Sequence, residues 1–98
     1  MMRFKFDFPL FYSPTQPYGC VSGCLELSSR PELGQLIRLA DETEEAGALA
    51  LKVNAILDAG SDLPEILMLD DHLVDGLAEA KLLAHYLEGK RGFFVDVF

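Results

Sequence analysis

The stretch from Ser29 to Gly89 holds 13 of the 16 acidic residues and most of the leucines and alanines, and its periodicity predicts helix. That assignment decides most of the expected fold. Ser29-Arg30-Pro31-Glu32 has the pattern of a capping box: Ser29 caps, Glu32 sits at the third helical position and Pro31 in the tolerant first turn. Leu33, Leu36, Ile37 and Ala40 follow at helical spacing. The helix bends or ends at Gly47. Alanines at 46, 48, 50 and 55 favour helix again from Ala48 to Leu57. The alternation of Leu49, Leu51 and Val53 leaves a short strand as the alternative. Gly60 stops this element. Asp62-Leu63-Pro64-Glu65 repeats the start signal, and Ile66, Leu69, Leu73, Leu77, Ala80, Ala84 and Leu87 keep helical spacing to Gly89. A break at Asp70-Asp71-His72 would instead leave Ile66 to Leu69 as a short strand.

The flanks read as sheet. Phe4, Phe6 and Phe8 alternate with Arg3, Lys5 and Asp7, the pattern of a half-buried strand with an aromatic inner face. Ser13 to Gly19, with Pro14 and Pro17, reads as a loop, either a plain connection or a rigid recognition loop presenting Tyr12 and Tyr18. Cys20 to Ser28 forms the second strand of an antiparallel hairpin, with Val21, Gly23, Leu25 and Leu27 on one face. Gly92 to Phe98 is a final strand with Phe93, Val95 and Val97 on one side and Phe94, Asp96 and Phe98 on the other. A strand apolar on both faces is either central in its sheet or covered by a partner. The expected architecture is therefore one α+β domain over residues 1–98, in the order β-β-α-α-α-β. A three-stranded sheet, the N-terminal hairpin plus the C-terminal strand, packs on two or three helices in two layers.

The net charge is −8 and unevenly spread: residues 31–89 carry three bases against 13 acids. Such a field disfavours nucleic acid and anionic membrane and favours a basic partner, although acidity also serves solubility alone. No segment approaches the roughly 18 apolar residues of a membrane span, and no secretory signal is read at the N-terminus. A cytoplasmic protein with reduced Cys20 and Cys24 is expected.

Motifs for chemistry are sparse. Cys20 and Cys24 form a CxxxC pair; on a strand they share a face roughly 13 Å apart, beyond disulfide reach. No nucleophile elbow, redox CxxC motif or glycine-rich phosphate loop occurs, and no cofactor is expected. Asp70, Asp71, His72 and Asp75 form the densest polar group. On a helix, Asp71 and Asp75 would stand one turn apart, which makes Asp71, His72 and Asp75 weak metal-ligand candidates; the bland alternative is a solvated face or a cap.

Three functions compete. The first is a small non-catalytic protein-binding module, an inhibitor, antagonist or accessory subunit of a basic and perhaps nucleic-acid-binding protein. Its contact residues would be Asp41, Glu42, Glu44, Glu45, Asp58 and Asp62 along one acidic edge, with Tyr12 and Tyr18. The second is self-assembly into a homodimer through Phe94 and Phe98. The third is a small enzyme or metal protein using the Asp70-Asp71-His72-Asp75 group.

Overall fold

The computed structural model describes residues 1–40 and 49–98. Among them the fold is mostly β: seven strands and one helix, built as a curled mixed sheet that forms a half-barrel. The elements are β1 (Met2–Ser13), β2 (Gln16–Leu27), β3 (Leu36–Ala40), β4 (Leu49–Leu57), β5 (Ile66–Leu69), β6 (His72–Leu73), α1 (Leu77–Lys90) and β7 (Phe94–Val97). The strand order is β3-β4-β5-β1-β2-β7, with β6 paired to β1 beyond β5.

This overturns the expected α+β layers of three strands on two or three helices. Where two or three helices were expected, the described residues between 29 and 89 supply four strands and a single helix. The capping pattern at Ser29 opens no helix. Gln35 donates its backbone N–H to the Glu32 carbonyl and accepts from the Glu32 N–H through its side chain, and Gly34 sits at φ 85°. The helical stripe dissolves accordingly: Leu33 is 67% exposed and Leu36 59%, whereas Ile37 and Leu39 are buried on alternate positions of β3. Residues 49–57 take the strand alternative, with Leu49, Leu51 and Val53 inward and Ala50, Lys52 and Asn54 outward. Residues 66–69 do the same, with Leu67 and Leu69 buried. The expected bend at Gly47 lies outside the described residues.

Magnitudes explain the outcome. Helix propensities of ordinary residues differ by a few tenths of a kcal/mol, whereas burying a leucine contributes about 1.5–3 kcal/mol. Two-residue spacing lets several large side chains reach one core, and that outweighs the alanine preference.

The hairpin reading holds and lengthens. Phe4, Phe6, Phe8 and Leu10 are all essentially inaccessible, and their partners across β2 are Leu25, Gly23, Val21 and Gly19. The connection is a tight turn at Pro14-Thr15, so most of the expected 13–19 loop is strand. Helix α1 supplies Ala80, Leu83, Ala84 and Leu87 to the same core. It starts after Gly76 (φ 112°) and closes with the Arg91 N–H on the Leu87 carbonyl. Gly92 (φ 70°) then turns the chain into β7.

Candidate functional site

Alternation along β1 and β2 gives the sheet two faces of different character. One carries the phenylalanine row and the helix. The other carries Lys5, Asp7, Pro9 and Phe11 on β1 and Cys20, Ser22 and Cys24 on β2, read from the pairing of Lys5 with Cys24, Asp7 with Ser22 and Pro9 with Cys20. On β5, Ile66 and Met68 join that second face opposite Lys5 and Asp7. On β7, Phe94 pairs with Ser22 and Asp96 with Cys20, and the backbone N–H of Phe98 donates to the Tyr18 carbonyl. Among the described residues no helix covers this face.

The most exposed large side chains on it are aromatic. Phe94 is 65% exposed and Phe98 72%; Phe94 begins the edge strand β7 and Phe98 follows its last residue. The final strand is therefore not central, and among the described residues nothing covers its outer apolar face. The alternation of hydrogen-bonded pairs directs the backbone groups of Phe94, Asp96 and Phe98 toward β2 and those of Val95 and Val97 away from the sheet. A shallow depression of about 440 Å³ opens beside Phe94, with Lys5, Cys24, Ser22, Arg91 and Phe93 among its lining.

Charge on the face is mixed along the strands, with Arg3 and Glu26 paired at 3.6 Å near the start of β1. Lys5 lies toward the end where β1 begins. Asp7 and Asp96 lie farther along and flank Cys20. Burial raises the Cys20 thiol pKa, and the two carboxylates raise it further, against a backbone hydrogen bond from Phe8 that lowers it. Burial likewise raises the Asp7 carboxyl. Cys20 and Cys24 are both free thiols, four residues apart on one strand. Nothing in the early spacing singled out the Asp7–Cys20–Asp96 grouping, because it depends on β7 pairing with β2 in this register.

The other candidates disperse. Asp41, Glu42, Glu44 and Glu45 lie outside the described residues, between the ends of β3 and β4. Asp58 and Asp62 follow the far end of β4, a strand of nine residues and so roughly 30 Å long. Asp58 serves the turn there, accepting the Gly60 N–H at 3.0 Å. Tyr12 and Tyr18 are half-buried against the core cluster rather than presented by a loop.

The helix that would bring Asp71 and Asp75 one turn apart does not form. Asp70 and Asp71 join β5 to β6, His72 lies in β6, and Asp75 precedes α1. Among the described residues no three His, Cys, Asp or Glu side chains are grouped to hold a metal ion. His72 turns its ring edge to Phe8, centroids 6.5 Å apart, and burial lowers its pKa. Sequence reasoning also missed the pair that pins the 28–35 segment to the start of β5. There the Arg30 guanidinium grips the Glu65 carboxylate through two bonds of 2.9 and 3.0 Å. Among the described residues no helix is long and apolar enough to cross a membrane.

No protein-family model matches the chain, and no curated protein or solved structure resembles it.

Proposed function

We propose that the protein is a small, non-catalytic protein-interaction module that works by contact through the uncovered sheet face. It would serve as an inhibitor, antagonist or accessory subunit, in the cytoplasm, where Cys20 and Cys24 stay reduced. One observation carries this: Phe94 on the edge strand β7 and Phe98 just past its end both stand exposed in a domain whose other phenylalanines, Phe11 apart, are buried. Exposed aromatic side chains on an uncovered surface favour protein contact, since each covers a large area at little conformational cost.

The test compares immobilised wild-type protein with Phe94→Ser/Phe98→Ser in capture from source-cell lysate. Both positions are exposed, so the double variant should fold normally. A protein retained by the wild type and lost with the variant is expected. Equal retention by both would overturn the sheet face as the binding surface.

The charge supports a second reading, a basic partner held by the acidic segments. The net charge of −8 and the four acids between residues 41 and 45 favour it. A salt wash then decides, because an electrostatic contact weakens steeply between low and high ionic strength, whereas an apolar one persists.

A further inference from the structure

We infer that the chain takes up an extended, carboxylate-bearing segment of another polypeptide, which adds as a strand to the open edge of β2 at Cys24 and Glu26. This rests on the reading of the protein as an interaction module and names the form its partner takes.

The open edge follows from register. Tyr18, Cys20 and Ser22 direct their backbone groups toward Phe98, Asp96 and Phe94. Cys24 and Glu26 continue that alternation, so their N–H and C=O groups point the same way. Strand β7 begins only at Phe94, opposite Ser22, because Gly92 (φ 70°) is where the chain arrives from α1. Among the described residues no backbone group pairs with Cys24 or Glu26 on that side.

The same stretch is firmly backed. On its other side β2 pairs with β1 without a break from Met2 opposite Leu27 to Lys5 opposite Cys24. After Leu27 the chain leaves across β1, where Arg30 grips Glu65 and the Glu65 carbonyl accepts the Lys5 N–H. That segment therefore leads away from the edge instead of folding over it.

The surroundings select the occupant. An unpaired run of strand backbone is complemented by another extended backbone, with side chains alternating between two faces. The depression of about 440 Å³ beside Phe94 reaches Gly23 and Cys24, and Phe6 and Phe93 give it an apolar wall for a side chain of the incoming segment. Lys5 and Arg91 also line it, against Asp7 as the one carboxylate, on a chain whose net charge is −8. Arg3 is matched by Glu26 at 3.6 Å, whereas Lys5 has no ion pair among the described residues. A carboxylate on the incoming segment complements this locally basic depression.

A phage-displayed library of unconstrained dodecapeptides, selected on the immobilised full chain, supplies the probe. The best binder, made synthetically, is titrated into isotope-labelled protein while amide exchange is followed by NMR. In the free chain the Cys24 and Glu26 amides should exchange faster than those of Gly23 and Leu25, which face β1. Bound peptide should slow exchange at Cys24 and Glu26 at least tenfold. N-methylating alternate residues of the peptide should weaken binding at least tenfold in one phase and little in the other, because only every second residue directs its N–H at β2. Lys5→Glu, at an exposed position, should weaken binding about two- to fivefold, and exchanging the peptide's carboxylate for its amide should abolish that difference. A library without binders, or a binder that leaves both amides exchanging freely or is weakened equally by both N-methylated phases, would overturn strand addition. The capture experiment above still decides on the sheet face in that case. An affinity unchanged by Lys5→Glu would overturn the carboxylate. Slow exchange at Cys24 and Glu26 in concentrated protein without peptide would make a second copy the occupant and overturn the inference.

Discussion

The rings of Phe6 and Phe93 meet edge to face, centroids 4.9 Å apart and planes at 80°, directly over the backbone of Gly23. The contact ties the first strand to the last across the strand between them. It is possible only because Gly23 lacks a side chain: a Cβ there would lie 2.7 Å from the Phe93 ring and 2.9 Å from that of Phe6. Gly19, two residues before Val21 on the same face, serves β7 similarly, since a Cβ would collide with the Asp96 carbonyl oxygen. The uncovered face exists in its present form because two glycines of β2 let β7 lie close.

Gly23→Ala is therefore expected to destabilise the fold by about 1–3 kcal/mol through overpacking. Phe6→Ala should cost about 3–5 kcal/mol, because it removes a fully buried ring and leaves a cavity. Urea denaturation followed by circular dichroism measures both. A neutral Gly23→Ala would mean that Phe6 and Phe93 do not meet over this glycine.

His72 links stability to acidity. Burial lowers its folded pKa below the ordinary 6.5, so the unfolded chain takes up the proton first. The stability this group contributes is present above pH 6.5 and falls as pH drops from there toward the folded value. Relative to wild type, His72→Leu should be more stable at pH 5 than at pH 7.5. Thermal melts of the two proteins at both pH values give the comparison, and an unchanged difference would contradict a buried neutral imidazole.

Asp7 works in the opposite direction. Its carboxyl is raised by burial above 3.8, so the folded protein is the first to bind the proton. Charged Asp7 weakens the fold at neutral pH and relief comes on acidification. Asp7→Asn should stabilise the dilute protein at pH 7, with the gain shrinking as pH approaches 3.8. A loss of stability in Asp7→Asn at pH 7 would show that the carboxylate has a favourable partner.

The Arg30–Glu65 pair holds the Glu65 carboxyl below its ordinary 4.5, chiefly through the side-chain hydrogen bonds. Its contribution is present above the unfolded pKa and disappears as pH falls through the folded one. Arg30 is exposed and Glu65 lies half-buried at the surface, so the contribution is small and screened by salt. Glu65→Gln should lower the melting temperature slightly at neutral pH in low salt and leave it unchanged in 1 M salt. A loss that persists in high salt would assign Glu65 a role beyond the ion pair.

The ends of the chain were legible and the middle was not. Arg3 to Phe8 alternates strictly with large aromatic residues, which only a half-buried strand satisfies, and Phe93 to Val97 repeats the pattern. Ala80, Ala84 and Leu87 were legible as one helical face. Between them, Leu36-Ile37-Arg38-Leu39-Ala40 fits both spacings, since so many of its positions are apolar. Strands of four or five residues are too short for one period to exclude the other. The capping signs at Ser29 and Asp62 misled because serine, aspartate and proline favour turns for the same local reasons that they favour helix starts. The Asp7–Cys20–Asp96 grouping and the Phe6–Phe93 contact depend on non-local register, which no single segment discloses.

Hydroxyl-radical footprinting tests the uncovered face most directly, because Phe94, Phe98 and Met68 are themselves reactive probes on it. The purified chain would be labelled at high dilution, then at high concentration, and then with whatever protein the capture experiment identifies. Labelling of Phe94 and Phe98 should fall in at least one bound condition and stay high in the dilute chain. Undiminished labelling of both residues, with protection confined to residues 41–48 or to the turn carrying Asp58 and Asp62, would place the binding surface on the acidic segments and contradict the sheet face.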